Sequence, residues 1–232
     1  MSTPAKPPPD DVIKTIGNGR LVPVIVIEDP QAAQPLAEAL VAGGLRCAEV
    51  TFRTAAAEAA LAAMAADPRL LVGAGTVVRP EQVDRAVAAG ARFIVSPGVS
   101  ATVIRHCRQV GVPVVPGVAT ATEIQAAGEE GLAVLKFFPA EPLGGLTMLK
   151  ALAAPFPGIR FVPTGGITAA QLSGYLAHPS VLAVGGSWMV APKLIAAGAW
   201  DEITRLTAEA VSVASERSSE ASDAAGLAAS GG

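Results

Sequence analysis

Eight short apolar runs, each followed by an alanine-rich helical run, predict an α/β protein built as a single (β/α)8 TIM barrel. The chain has 232 residues, within the roughly 200 to 250 that such a barrel commonly occupies. Polar and glycine-rich tripeptides cluster directly after the apolar runs. In a barrel those positions converge on the carboxyl end of the strands, where such folds do their chemistry. An open, doubly wound sheet shares the alternation and stands as the second reading.

The strand runs fall at residues 21–27, 47–52, 70–75, 93–96, 112–115, 133–138, 160–164 and 181–185. Each is apolar through much of its length, as parallel strands covered on both faces should be. Helical runs lie between them at 30–42, 55–66, 80–89, 101–110, 121–130, 147–153 and 169–177, with a last one at 200–214. Pro30 and Pro80 suit a first helical turn, and Gly43, Gly90, Gly111 and Gly131 stand just past helix ends, where a left-handed residue is wanted. The proline-rich start and the Ser, Ala and Gly-rich end lack the apolar content that offsets ordering entropy. The expected layout is a disordered N-terminal arm over 1–11, the barrel over 12–214 and a disordered C-terminal tail over 215–232.

The formal net charge is −3, with both signs mixed along the chain, so no electrostatic footprint for nucleic acid appears. No run approaches the roughly 18 unbroken apolar residues of a membrane span. Residues 1–10 lack the apolar stretch of a secretory signal, which makes the cytoplasm the expected location. Cys47, Cys107, His106 and His178 match no metal-ligand or redox spacing. They are expected to be packing or surface residues, with no metal site and no disulfide.

The stretch Val134-Leu135-Lys136-Phe137-Phe138-Pro139-Ala140-Glu141 places one lysine in an apolar, strand-like run. Strand alternation sends Leu135 and Phe137 one way and Val134, Lys136 and Phe138 the other, toward the interior. An ammonium in such a place is paired or sheds its proton, because desolvation disfavours the charged form. Lys136 is therefore either a nucleophile or a barrel lysine that only pairs with a carboxylate. Glu49, Thr51 and Arg53 share the inward face of the second strand. Glu49 is either the partner of a plain ion pair or a proton carrier beside a bound carbonyl substrate. Arg53, at the strand end, offers a guanidinium fork for a carboxylate, and Thr76 can add a hydroxyl donor to the same group.

Two late glycine pairs, Gly165-Gly166 and Gly185-Gly186, the second followed by Ser187, sit at the corner where many barrels grip phosphate. Glycine lets backbone N–H groups approach an anion, and a following helix start adds partial positive charge. Neither loop contains lysine or arginine, so the grip would consist mainly of backbone dipoles.

Assembled, these residues resemble the family of 2-keto-3-deoxy-6-phosphogluconate and 4-hydroxy-2-oxoglutarate aldolases. The similarity runs from about Val22 to Val211. It is carried by Val22-Pro23-Val24-Ile25-Val26, Glu49-Val50-Thr51-Phe52-Arg53-Thr54, Gly73-Ala74-Gly75-Thr76-Val77, Ser96-Pro97-Gly98, Pro116-Gly117-Val118-Ala119-Thr120, Lys136 to Glu141, Pro163-Thr164-Gly165-Gly166-Ile167 and Gly185-Gly186-Ser187-Trp188. The resemblance implies a homotrimeric class I aldolase that needs no cofactor and no metal. It gives Lys136 the Schiff base with pyruvate and Glu49 the proton transfers. Arg53 and Thr76 take the substrate carboxylate, Pro97 and Phe138 wall the pocket, and Thr164, Gly165, Gly166, Gly185, Gly186 and Ser187 surround the phosphate. The substrate would be a phosphorylated 2-keto-3-deoxy sugar acid.

Two rival readings remain at the level of sequence. One is a phosphate-gripping barrel isomerase or decarboxylase without a covalent intermediate. The other is a non-catalytic or engineered trimeric assembly subunit on the same fold.

Overall fold

The computed structural model describes residues 8–230. Eight strands form the barrel: β1 Leu21–Ile25, β2 Cys47–Thr51, β3 Leu71–Gly75, β4 Ile94–Ser96, β5 Val114–Val118, β6 Val134–Phe137, β7 Arg160–Phe161 and β8 Val184–Gly186. They pair in parallel in the order β7-β6-β5-β4-β3-β2-β1-β8. The two ends of that order meet through parallel bridges, Phe161 to Val181 and Thr164 to Gly185. The sheet thus closes, and the open-sheet reading is excluded.

The helices are α1 Pro9–Gly19, α2 Ala33–Ala42, α3 Ala57–Ala65, α4 Pro80–Ala88, α5 Ala101–Gln109, α6 Ala121–Glu129, α7 Gly145–Ala153, α8 Leu172–Leu176, α9 Pro192–Ala196 and α10 Trp200–Ser230. Local chemistry sets several starts. Pro80 opens α4 in its first turn, and Thr120 caps α6 in a capping box with Glu123. The glycines at 90, 111 and 131 adopt positive φ, as the left-handed stop of a helix requires; Gly43, expected to do the same, keeps φ at −74°, and the left-handed residue is Gly44.

Strand alternation divides the core in two. Leu21, Ile25, Val50, Val72, Ile94 and Leu135 face outward into a large cluster under the helices. Val22, Cys47, Phe93, Val95, Val115, Val162 and Leu182 face inward and fill the amino-terminal half of the barrel. The carboxyl-terminal half holds the buried polar side chains Glu49, Thr51, Lys136 and Thr164.

Several boundaries depart from the sequence reading: β7 is shorter and β8 later than expected, and α9 was not expected at all. Residues 9–11, expected in the disordered arm, begin α1, whose Pro9 suits a first turn and whose Asp10 and Asp11 favour the positive helix start. Val12 and Ile16, one turn apart, are buried against the inner cluster and stop the amino end of the barrel. At the other end α10 does not stop at 214 but continues to Ser230, through alanine-rich sequence with high helix propensity. The fifth strand lies at Val114–Val118, not 112–115. Residues 1–7 of the expected arm and 231–232 of the expected tail lie outside the described residues.

Candidate active site

The carboxyl ends of the strands enclose a cavity of about 420 Å³. Glu49, Arg53, Thr76, Pro97, Lys136, Phe138, Thr164, Gly165, Gly166, Gly185, Gly186 and Ser187 all line it. Val24, Val26, Thr51, Ile167 and Pro192 line it too; sequence reasoning gave none of them a role in the site. The period of two already placed Thr51 on the inward face, and the same period applied to β1 would have found Val24 and Val26.

Lys136 projects from β6 and Glu49 from β2, and their side chains are only 8% and 4% exposed. Lys136 Nζ donates to Glu49 Oε1 at 3.3 Å. The Phe138 ring lies with its centroid 5.3 Å from the same nitrogen, within the range of a cation–π contact. Among the described residues Glu49 Oε2 has no hydrogen-bond partner. It is not among the buried unpartnered atoms, and Glu49 lines the cavity, so this oxygen opens onto the space a substrate would enter.

The carboxylate has room because β3 carries glycine beside it. Glu49 pairs with Gly73 and Thr51 with Gly75 in the ladder. A Cβ on Gly75 would lie 2.0 Å from Glu49 Oε1. Thr51 Oγ1 donates to Ile25 O at 2.8 Å, tying β2 to β1 beneath the site. On β5, Gly117 stands beside Lys136 in the ladder, and a Cβ there would meet the Pro97 carbonyl oxygen at 2.1 Å. This gap lets the 96–98 loop fold against β5 and bring Pro97 to the rim.

Arg53 is exposed at the mouth and makes no ion pair among the described residues. Its guanidinium is free for a ligand carboxylate. Thr76 holds φ at 58°, a left-handed conformation that a β-branched residue adopts only under constraint. On the opposite wall, Gly165 and Gly166 have φ of 105° and 81°. Their backbone N–H groups have no acceptor among the described residues. Thr164 Oγ1 occupies the space over Gly185, where a Cβ would fall 2.1 Å from it.

The cysteines and histidines stand apart from this cavity. Cys47 lies below Glu49 on the same face, and burial, then the Glu49 charge, push its thiol well above the usual range. Such a thiol is inert. Cys107 is buried in the helical layer. His106 Nε2 meets Asp84 Oδ1 at 2.7 Å, and His178 Nδ1 accepts from Ser180 N at 3.3 Å.

A closed eight-stranded barrel with a buried lysine beside a buried carboxylate at the carboxyl end of its strands is the frame of an enzyme able to work through a lysine amine. The particular family is shown by comparison. A sequence model described as "Aldolase: KDPG and KHG aldolase" matches residues 12–206, and the chain belongs to that family. It is 50% identical over 203 residues to the 2-dehydro-3-deoxy-phosphogluconate aldolase of Treponema pallidum, covering 87% of this chain and 97% of that one. Among solved structures, the 2-keto-3-deoxy-6-phosphogluconate aldolase of Zymomonas mobilis ZM4 with 3-phosphoglycerate superposes with a TM-score of 0.82 at 43% identity, covering 88% of this chain and 96% of that one. The KDPG aldolase of Legionella pneumophila, with pyruvate captured as a covalent carbinolamine, gives 0.82 at 42% identity over 85% and 96% of the two chains.

Proposed function

We propose that this chain is a Schiff-base aldolase. It cleaves 2-keto-3-deoxy-6-phosphogluconate to pyruvate and glyceraldehyde 3-phosphate, and also takes 4-hydroxy-2-oxoglutarate to pyruvate and glyoxylate. The observation that carries the reading is the Lys136 to Glu49 contact of 3.3 Å inside the cavity, an amine and a proton carrier in reach of one substrate carbon. Relatives named as aldolases of the first substrate and of both support it.

In this mechanism the amine of Lys136 adds to the keto carbon of the substrate, a proton taken up by the carbinolamine hydroxyl lets it leave as water, and an iminium forms; the proton is given back when the iminium is hydrolysed. Glu49 takes the proton of the C4 hydroxyl through a water. The C3–C4 bond breaks, its electron pair passes into the iminium to give an enamine, and glyceraldehyde 3-phosphate departs. Glu49 then returns a proton to C3, and water hydrolyses the iminium to release pyruvate and Lys136. The iminium is the electron sink, so the chemistry calls for no cofactor and no metal. Arg53 and Thr76 hold the substrate carboxylate, and Pro97 and Phe138 wall the reacting carbons. Thr164, the two glycine pairs and Ser187 receive the phosphate. The family resemblance supports a homotrimer.

The test is reductive trapping. Pyruvate and borohydride should add one reduced pyruvate to Lys136, read by peptide mass. Lys136→Ala should keep its far-UV spectrum while losing the adduct and several orders of magnitude of cleavage. An adduct on another residue, or a tenth of the activity retained by the variant, refutes the assignment.

A further inference from the structure

Three polar side chains behind the cavity are tied to one another and to its glycine turn. Glu141, in the turn after β6, presents both carboxylate oxygens to partners. Tyr175 Oη donates to Oε1 at 2.5 Å and Gln171 Nε2 donates to Oε2 at 2.7 Å. Tyr175 is buried. Burial, then its contact with Glu141, push its phenol well up, so it remains a donor at any working pH. Gln171 is fixed in turn, because its Oε1 accepts from Thr168 N at 2.9 Å and Thr168 Oγ1 at 2.8 Å. None of Glu141, Gln171 and Tyr175 lines the cavity.

The main chain of Glu141 carries this order to the turn. Its N–H donates to Gly165 O at 3.0 Å, and Ala140 N donates to Thr164 O at 2.8 Å. In a planar trans peptide the carbonyl and the following N–H point in opposite directions. Holding Gly165 O on Glu141 therefore aims the Gly166 N–H away from Glu141. That N–H has no acceptor among the described residues, and Gly166 borders the cavity. The turn also has little room to retreat: a Cβ on Gly166 would lie 2.9 Å from the Cβ of Glu141.

We infer that Glu141, clamped by Tyr175 and Gln171, is a positioning residue that presets the Gly165–Gly166 turn for the anionic end of the substrate. The inference rests on the aldolase reading and deepens it. Both clamp donors bind a charged acceptor, the stronger class of hydrogen bond, yet neither touches the reacting carbons. Loosening the clamp should weaken binding of the phosphate and spare the chemistry at Lys136.

The experiment compares Tyr175→Phe and Gln171→Glu with the wild type. The first removes one donor. The second keeps the acceptor for Thr168 but sets a like charge against Glu141. For the phosphorylated substrate KM should rise about 5- to 30-fold with kcat unchanged, part of the worth of one charge-assisted hydrogen bond, since the clamp acts on the turn and not on the substrate. For 4-hydroxy-2-oxoglutarate, which lacks the phosphate, both constants should hold. Inorganic phosphate should weaken as a competitor in step with the KM change, and pyruvate trapping at Lys136 should keep its wild-type rate, which also shows the variants folded. Equal losses on both substrates, or no loss on either, overturn the positioning role alone. A wild type that traps no pyruvate overturns the aldolase reading and this inference with it.

Discussion

Gly75→Ala tests whether the carboxylate of Glu49 acts by its position. An added Cβ would stand 2.0 Å from Glu49 Oε1, whereas ordinary contact begins at 3.4 Å, so the oxygen must retreat by about 1.4 Å. The obstacle is one side chain from its Cγ outward, with Cδ at 2.6 Å and Cγ at 2.7 Å, so Glu49 must change rotamer, and the fold should accommodate this within the usual cost of overpacking, about 1 to 3 kcal/mol. The chemistry should not. The retreat lengthens or breaks the 3.3 Å contact with Lys136, and a misplacement of about 1 Å in a catalytic group costs on the order of 100-fold. Steady-state pyruvate release should fall by that factor. Glu49→Gln should lose roughly 10² to 10⁴, and the double variant should be no worse than Glu49→Gln alone. Losses that multiply in the double variant, or a Gly75→Ala enzyme within about threefold of wild type, would refute the reasoning.

Other outcomes follow from the same geometry. Arg53→Ala should raise KM for both substrates alike, since both carry the carboxylate it is proposed to hold; the loss should be about 10- to 100-fold, and a selective loss on one substrate argues against it. Ile16→Ala removes a buried side chain that stops the amino end of the barrel. Urea unfolding should show a loss of about 2 to 5 kcal/mol with activity per folded molecule unchanged, and a loss under about 0.5 kcal/mol would mean α1 is not part of the core. Burial and then Lys150 lower the His178 pKa, so the unfolded chain binds this proton more readily than the folded one. Its contribution is present above the unfolded value, about 6.5, and is lost as pH falls through the lower folded value. The drop in urea midpoint between pH 7.5 and pH 5 should be smaller in His178→Gln than in wild type; an identical drop removes His178 as a cause.

The strand and helix pattern was legible because parallel strands and their covering helices are both dominated by packing, and packing writes a period into the sequence. Lys136 was legible for the opposite reason: it breaks an apolar run, and the break had to be explained. What stayed hidden depends on who faces whom across strands. Thr51 looked like any inward polar residue, and only its reach to Ile25 O shows that it braces β2. Glu141 read as the end of a motif, because its partners Gln171 and Tyr175 lie about 30 residues further on. The start of α1 was masked by prolines that reduce the local apolar content, although Val12 and Ile16 already stood one turn apart.

The glycines show the same limit most sharply. By sequence, Gly73-Ala74-Gly75 and Gly185-Gly186 mark turns or backbone donors. In the structure Gly73, Gly75 and Gly185 lie within strands, and each leaves a socket for a side chain from elsewhere: Phe93 over Gly73, Glu49 over Gly75, Thr164 over Gly185. A barrel of eight strands has an interior only wide enough for side chains to fill, so a functional residue can occupy it only where a neighbour gives up its own Cβ. At the amino-terminal level the freed space goes to a phenyl ring and makes core. One level higher it goes to a carboxylate and a hydroxyl and makes a site. Glycine spacing within a barrel strand therefore says where side-chain volume is received, and the residue that fills it decides whether that level of the barrel serves stability or chemistry.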